Sequence, residues 1–290
     1  MTGEREARLN PDLVRRAVLA ALEEDGAWDD VTTALTVPPD QRGRGVLLAK
    51  AAGVVAGLPV GEAAFKAVDP AVRFLPAVDD GSSVVADTVL ATLEGPLASL
   101  LRAERVALNF VQRLSGVATL TARAVAALEG SGTRLLDTRK TTPGLRALER
   151  YAVRAGGGHN HRFNLADGIL IKDNHIAAAR ARGLSLAELV AQTRAAAPHL
   201  MRVEVEVTSL DEAREALDAG AEVLLLDNMP PEEMRRVVKL ARGRAVTEAS
   251  GGVTLERLPE IAAAGVQYVS MGALTHSAPA LDISLELALA

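Results

Sequence analysis

Cysteine is absent from the 290 residues. That excludes disulfide scaffolds, cysteine-ligated zinc, iron–sulfur clusters and thiol nucleophiles. Aromatic residues are only 2% of the chain, too few for a platform on which nucleobases stack. There is no excess of positive charge: 32 basic minus 37 acidic residues gives −5. Global charge therefore does not favour a polyanion, and no nucleic-acid partner is expected. An anionic ligand would need a local basic cluster. Lysine is scarce, five against 27 arginines, which makes Lys140 and Lys172 conspicuous. Long apolar runs are lacking too. The stretch from Ala51 to Gly61 contains Gly and Pro, lies between Lys50 and Glu62, and is too short to span a bilayer. Met1–Arg8 is charged and has no apolar core of the signal-peptide kind. A cytoplasmic protein with no membrane association is the expectation.

What is present is an ordinary globular composition, 49% hydrophobic and 24% charged. At about 150 residues per domain, the length suits one large domain or two moderate ones. The first 105 residues read as α+β. Asn10-Pro11 opens a helix over 12–22. Short strand-like pieces follow at 45–49, 54–56, 72–75 and 89–93, separated by turns such as Asp79-Asp80-Gly81. Residues 100–128 read as a helix, with Gly116 marking a break or a tight packing point. Apolar strand-like runs then recur at 134–138, 168–171, 203–207, 223–226, 245–247 and 266–270, with helical segments 209–219, 231–241 and 255–264 between the last four. Repeated β-then-α units predict parallel strands joined by crossovers. A closed or incomplete α/β barrel is favoured. A doubly wound open sheet is the alternative, but no Gly-x-Gly-x-x-Gly loop follows the first strand.

In α/β barrels chemistry gathers at the carboxyl ends of the strands. The residues there are Asp137-Thr-Arg-Lys-Thr-Thr-Pro-Gly144, Lys172-Asp-Asn-His175, Glu204-Val-Glu206, Asp227-Asn228, Glu248-Ala-Ser-Gly-Gly252 and Gly272. Caps and turns account for Ser250, Gly251 and Gly272, but not for acids and bases aimed at one mouth. Glu204 and Glu206 are two apart and share a strand face, with Val203, Val205 and Val207 on the other. Carboxylates inside a barrel are costly unless neutralised. An internal ion-pair layer, a Mg²⁺ site completed by Asp227, and anchors for sugar hydroxyls all fit this pattern. Arg139, Lys140, His161, Arg162 and Lys172 would together bind a multiply charged anion. Ser250-Gly-Gly252 and Gly272 suit a plain turn or a phosphate cradle.

Asp137–Gly144, Gly157-Gly-His-Asn-His-Arg162, Lys172–His175 and Ser250–Gly252, with Glu104-Arg-Val-Ala-Leu-Asn-Phe110 and Leu114-Ser-Gly116, resemble the quinolinate phosphoribosyltransferase family. The resemblance covers residues 100–276 firmly and the first 100 loosely. It implies an α/β fold: an N-terminal α+β sandwich domain (1–105, with 277–290 packing back on it), then an incomplete, seven-stranded parallel α/β barrel (106–276). It implies a transferase that converts quinolinate and phosphoribosyl pyrophosphate, with Mg²⁺, into nicotinate mononucleotide, pyrophosphate and CO₂ in NAD synthesis. Arg139, His161, Arg162 and Lys172 would bind the quinolinate carboxylates, with Arg105 supplied across a homodimer interface. Lys140, Glu206 and Asp227 would be catalytic and face phosphoribosyl pyrophosphate, with Glu206 and Asp227 holding the metal directly or through water or substrate. Ser250, Gly251, Gly252, Gly272 and His276 would hold the 5′-phosphate. Arg113 stands where the family commonly has His, and no chemical consequence is expected. Three rivals differ in kind: a phosphoribosyltransferase acting on a monocarboxylate, which would not need Arg105, His161 and Arg162; a Schiff-base aldolase using Lys172; and a non-catalytic barrel that binds a phosphorylated metabolite.

Overall fold

A computed structural model describes residues 9–289; the charged stretch Met1–Arg8 lies outside them. In chain order the elements are α1 (Pro11–Glu24), α2 (Val31–Thr36), β1 (Arg42–Ala49), β2 (Gly53–Val54), α3 (Leu58–Val68), β3 (Arg73–Pro76), β4 (Ser83–Val84), β5 (Val89–Pro96), α4 (Leu97–Ala127), β6 (Arg134–Leu136), α5 (Arg146–Ala155), β7 (Ile169–Ile171), α6 (Asp173–Arg180), α7 (Leu186–Ala196), β8 (Val203–Val207), α8 (Leu210–Asp218), β9 (Val223–Asp227), α9 (Pro231–Ala241), β10 (Val246–Ser250), α10 (Leu258–Ala263), β11 (Tyr268–Ser270), α11 (Ala273–His276) and β12 (Ile283–Leu289). Two compact units divide the chain. One comprises the residues up to Ala122, Thr141–Gly157 and the segment from Leu274 onward; the other comprises Arg123–Lys140 and Gly158–Ala273. The division expected at 105/106 falls inside the unbroken helix α4, and residues 141–157 group with the first unit.

In the first unit, α1 starts where Pro11 needs no backbone donor and the Asn10 side chain accepts from Asp12 N at 2.9 Å. Val14, Val18 and Leu22, four apart, form its buried stripe. An antiparallel sheet follows in the order β12-β1-β5-β3, so the C-terminal strand closes the edge beside β1. The apolar run 51–61 resolves into β2 and the start of α3. Asp80, read from sequence as a turn residue, caps that helix: its carboxylate accepts from Gly57 N, Leu58 N and the Tyr151 hydroxyl. Burial lifts the Asp80 carboxyl above its usual range against the pull of those donors.

The motif Leu114-Ser-Gly116 proves to be packing. Ser115 Oγ bonds both the N–H and the carbonyl of Ala56. Gly116 does not break α4; a Cβ there would stand 2.0 Å from Pro279 O and 2.9 Å from Ala280 Cα. Gly→Ala in an open helix interior stabilises by about 0.5–1 kcal/mol. Here backbone blocks the methyl group, so Gly116→Ala is expected to lower stability by about 2–3 kcal/mol in urea unfolding. A midpoint unchanged or raised would contradict this contact.

Arg113, the departure noted above, has a structural use. It ion-pairs with the fully buried Glu149 at 2.7 Å and donates to Ala278 O and Thr275 O. Glu149 also accepts from Thr142 N and Oγ1, which anchors the end of the Asp137–Gly144 motif. A cavity of about 740 Å³ in this unit is lined by α1, α4 and residues 143–148; it holds none of Arg139, Lys140, His161, Arg162 or Lys172.

The second unit carries a parallel sheet in the order β6-β11-β10-β9-β8-β7. Neighbours follow chain order from β7 to β11, and the first strand then pairs with the last. A doubly wound sheet reverses direction at a switch point, whereas this cyclic order is that of a barrel. Where seven strands were expected, six form among the described residues. At the β6 edge a single bridge joins Leu136 to His159. On β8, Val203, Val205 and Val207 are fully buried, as expected of a face under the helix layer, and Glu204 is buried as well. No helix among the described residues is long and apolar enough to cross a membrane.

Candidate active site

Asp137 is the organiser of the strand-end loops. It is fully buried, and its carboxylate accepts from Asn160 Nδ2 at 2.6 Å and His161 N at 2.8 Å. Backbone bonds from Asp137 N to His159 O, and from His159 N to Leu135 O, lay the loop 158–162 along the end of β6. The loop after β6 and the Gly-rich loop are thereby fixed to each other. Asp137 and Asn160 lay within the sequence motifs, yet neither had been given a role.

Two groups of charge result. In the first, His161 Nε2 lies 3.5 Å from both Glu204 Oε2 and Glu248 Oε2. Burial opposes the imidazolium, but these carboxylates outweigh it and raise the His161 pKa above its usual value. Arg162 donates to Gly168 O at 2.8 Å. Burial works against its charge, and so does the neighbouring Arg139, while Glu204 supports it. Arg139 and Arg162 therefore share one region although like charges repel, an arrangement that a bound dianion would relieve.

In the second group, Lys172 Nζ stands 3.8 Å from Glu206 Oε2. Burial lifts the Glu206 carboxyl above its usual range; Lys172 draws it down, and Asp227 and Asp173 push it up. Glu204 and Glu206 project from alternate positions of β8, so the two groups are neighbours along one strand. Lys172 precedes α6, where His175 Nδ1 accepts from Lys172 N at 2.9 Å and fixes the turn. That accounts for the His of the Lys172–His175 motif.

Asp227 ends β9 in register with Ser250 on β10. Asn228 follows with φ +52°, and its amide donates to Asp227 Oδ2 while its backbone N–H donates to Ser250 O. Gly251 has φ +86°, and a Cβ on it would stand 2.5 Å from the Asn228 amide group. Glycine is required there twice over, by conformation and by space. Gly252 O accepts from Arg257, which braces the turn. Lys140 is exposed, with its backbone N–H on Thr138 Oγ1. Gly272 follows Met271, whose N–H pairs with Leu136 O.

The structure thus brings Arg139, His161, Arg162, Lys172, Glu206 and Asp227 to the same ends of one sheet, and Ser250–Gly252 beside Asp227. Arg105 and His276 belong to the first unit. Arg105 is exposed on α4, next to Glu104, whose carboxyl is raised by burial against the pull of Arg105. His276 Nδ1 lies 2.6 Å from Ser277 Oγ. Asn228 and Glu248 were also among the strand-end residues read from the sequence, but neither had been given a role. A signal for Glu248 existed: like Glu204, it is an acid inside a strand, between the buried Thr247 and Ala249.

Comparison with known proteins agrees with this geometry. Residues 30–115 match the quinolinate phosphoribosyl transferase N-terminal domain, and residues 117–286 match the C-terminal domain. A probable nicotinate-nucleotide pyrophosphorylase (carboxylating) of Bacillus subtilis is 46% identical over 92% of this chain and 91% of its own. The nicotinate-nucleotide pyrophosphorylase (carboxylating) of Mycobacterium leprae is 42% identical over 95% of this chain and 98% of its own. The crystal structure of NadC from Streptococcus pyogenes superposes with a TM-score of 0.92 at 42% identity, covering 98% of this chain and 99% of that one. With both domains matched and the strand-end charges converging as the motifs require, the chain belongs to the quinolinate phosphoribosyltransferase family of enzymes.

Proposed function

We propose that this chain transfers the phosphoribosyl group of phosphoribosyl pyrophosphate to quinolinate and releases pyrophosphate and CO₂, giving nicotinate mononucleotide for de novo NAD synthesis. The observation that carries the reading is that Arg139 and Arg162 meet at the same strand ends that carry the Glu206–Asp227 acids, in a chain of this family. Two adjacent carboxylates on a pyridine need more cationic partners than one does. Arg139, Arg162 and Lys172 serve them, with His161 holding Arg162 in place and Arg105 of the partner subunit joining in a homodimer.

The ring nitrogen attacks C1 of the ribose as the bond to pyrophosphate breaks, and C1 passes through an oxocarbenium-like state. Glu206 and Asp227 lie where carboxylates would stabilise that charge, and Lys140 attends the departing pyrophosphate. Ser250, Gly251, Gly252 and Gly272 offer backbone N–H groups to the 5′-phosphate. The positive charge of the ring nitrogen, now quaternary, stabilises the electron pair that stays on C2 when CO₂ departs, and a proton from solvent then takes the place of CO₂ there. Glu206 and Asp227 form a hard-oxygen donor set whose mutual repulsion suits a divalent cation, so they would hold Mg²⁺ directly or through water or substrate. Bound there, Mg²⁺ supplies neutralisation of the leaving pyrophosphate.

The test is incubation with quinolinate, phosphoribosyl pyrophosphate and Mg²⁺, reading CO₂ and nicotinate mononucleotide together. Both products in equal amount are expected. Turnover of nicotinate with none of quinolinate would replace this substrate with the monocarboxylate.

A further inference from the structure

The roles proposed above leave two buried acids unused. Glu248 and Glu204 flank the His161 ring, with side-chain exposures of 4% and 11%. The Oε1 atom of each is buried with no hydrogen-bond partner. Two carboxylates against one ring, each with an orphaned oxygen, are costly if both are charged.

The His161 ring itself decides what the cluster can be. Arg162 N donates to His161 Nδ1 at 2.7 Å. Nδ1 is therefore an acceptor, and the ring proton sits on Nε2. Nε2–H faces both carboxylates. Although one ring nitrogen and two carboxylate oxygens lie within 4.8 Å of one another, a metal ion would need the lone pair that this proton occupies. The cluster is a hydrogen-bonding device.

We propose that Glu248 is a positioning residue which, with Glu204, grips the Nε2–H edge of His161, so that Nδ1 holds the Arg162 backbone N–H and sets Arg162 for the substrate diacid. The inference rests on the substrate proposed above for this site. Glu248 acts through His161 and need not touch the substrate.

Other groups face Glu248 from every neighbouring strand end: Glu204 on β8, His161 and Asp137 on the joined loops, and Ser270 on β11. Burial and the Glu204 charge push Glu248 up to about 7; His161 and the Ser270 hydroxyl pull it down, and Asp137 adds to the rise. Glu204 in turn supports the charge of Arg162 nearby. Glu248 thus holds its proton below about pH 7 and loses it above. The ionised form places a negative charge beneath the cations that receive the diacid. Quinolinate kcat/KM is accordingly expected to fall as pH rises through that range.

Glu248→Leu and Glu248→Gln in the full-length protein test this. The leucine variant is expected to raise the quinolinate KM at least about tenfold, the loss of one hydrogen bond to a charged group, with the phosphoribosyl pyrophosphate KM within about twofold. The glutamine variant keeps an acceptor for Nε2–H, so the quinolinate KM should return to within about threefold, while the decline above pH 7 disappears. An unchanged quinolinate KM in Glu248→Leu, or a persisting decline in Glu248→Gln, would overturn the proposal. If the leucine variant fails to fold, the pH profile of the glutamine variant decides alone. A third readout is independent of turnover. The ¹⁵N spectrum of the imidazole lost in His161→Asn should show an Nε2–H tautomer that shifts in Glu248→Gln; an Nδ1–H tautomer, or no shift, would sink the idea. Absence of any quinolinate turnover by the native protein, with that tautomer present, would discard the substrate and leave the His161–Glu248 grip standing.

Discussion

Asp227→Asn is expected to lower kcat by about 10²–10³-fold, the usual cost of removing one electrostatic stabiliser aimed at developing charge. The substitution keeps volume and leaves an acceptor for the Asn228 amide, which now bonds Asp227 Oδ2 at 3.0 Å, so the Ser250–Gly252 turn keeps its support. What it removes is charge. With a neutral amide beside Glu206, the repulsion that now raises the Glu206 carboxyl is relieved, and attraction for a divalent cation falls with it. Half-saturating Mg²⁺ and the phosphoribosyl pyrophosphate KM should both rise, with the quinolinate KM nearly unchanged. Steady-state kinetics over a Mg²⁺ series measures all three. An unchanged kcat together with an unchanged metal response would remove Asp227 from the site.

The complementary result belongs to Arg139→Ala. Loss of a charge-assisted bond to a carboxylate costs about 1.5–3 kcal/mol, so the quinolinate KM should rise about 10- to 150-fold. The Mg²⁺ dependence should barely move, because Arg139 acts on Arg162, whereas the charges acting on Glu206 are Lys172, Asp227 and Asp173. Arg139→Lys separates charge from geometry: a lysine restores the charge but not the planar fork, and should recover only part of the loss. Equal losses against both substrates in Arg139→Ala would contradict a division of labour between the two charge groups.

How much of this was readable beforehand follows from the range over which each feature is determined. The β-then-α rhythm from 203 to 270 is local, carried by valine- and leucine-rich strands and helices with capping residues such as Ser209. The helix over 231–241 was placed to the residue. The motif residues were legible because each supplies a scarce chemical type at a strand end. Other elements were not: the short α2, β4 and α6 went unread, as did the longer α5, α7 and β12, and α3 was hidden in an apolar run whose cap, Asp80, looks like a turn residue. Gly116 could be seen as special, but whether it broke the helix or admitted another segment depended on Pro279, 163 residues away.

Composition and local pattern alone determined that this chain builds parallel strands with charged ends and no cysteine chemistry. They also supplied the motifs that led to its family. Only the tertiary structure decided which charges meet. Asp137 binds the Gly-rich loop, Arg139 comes up against Arg162, and Glu248, visible in the sequence only as one more strand-end acid, closes on the far edge of His161. The physical reason is that strand order and register set those neighbours across 23 to 87 residues of chain, and hydrogen bonds between loop ends, which no local preference encodes, hold them there.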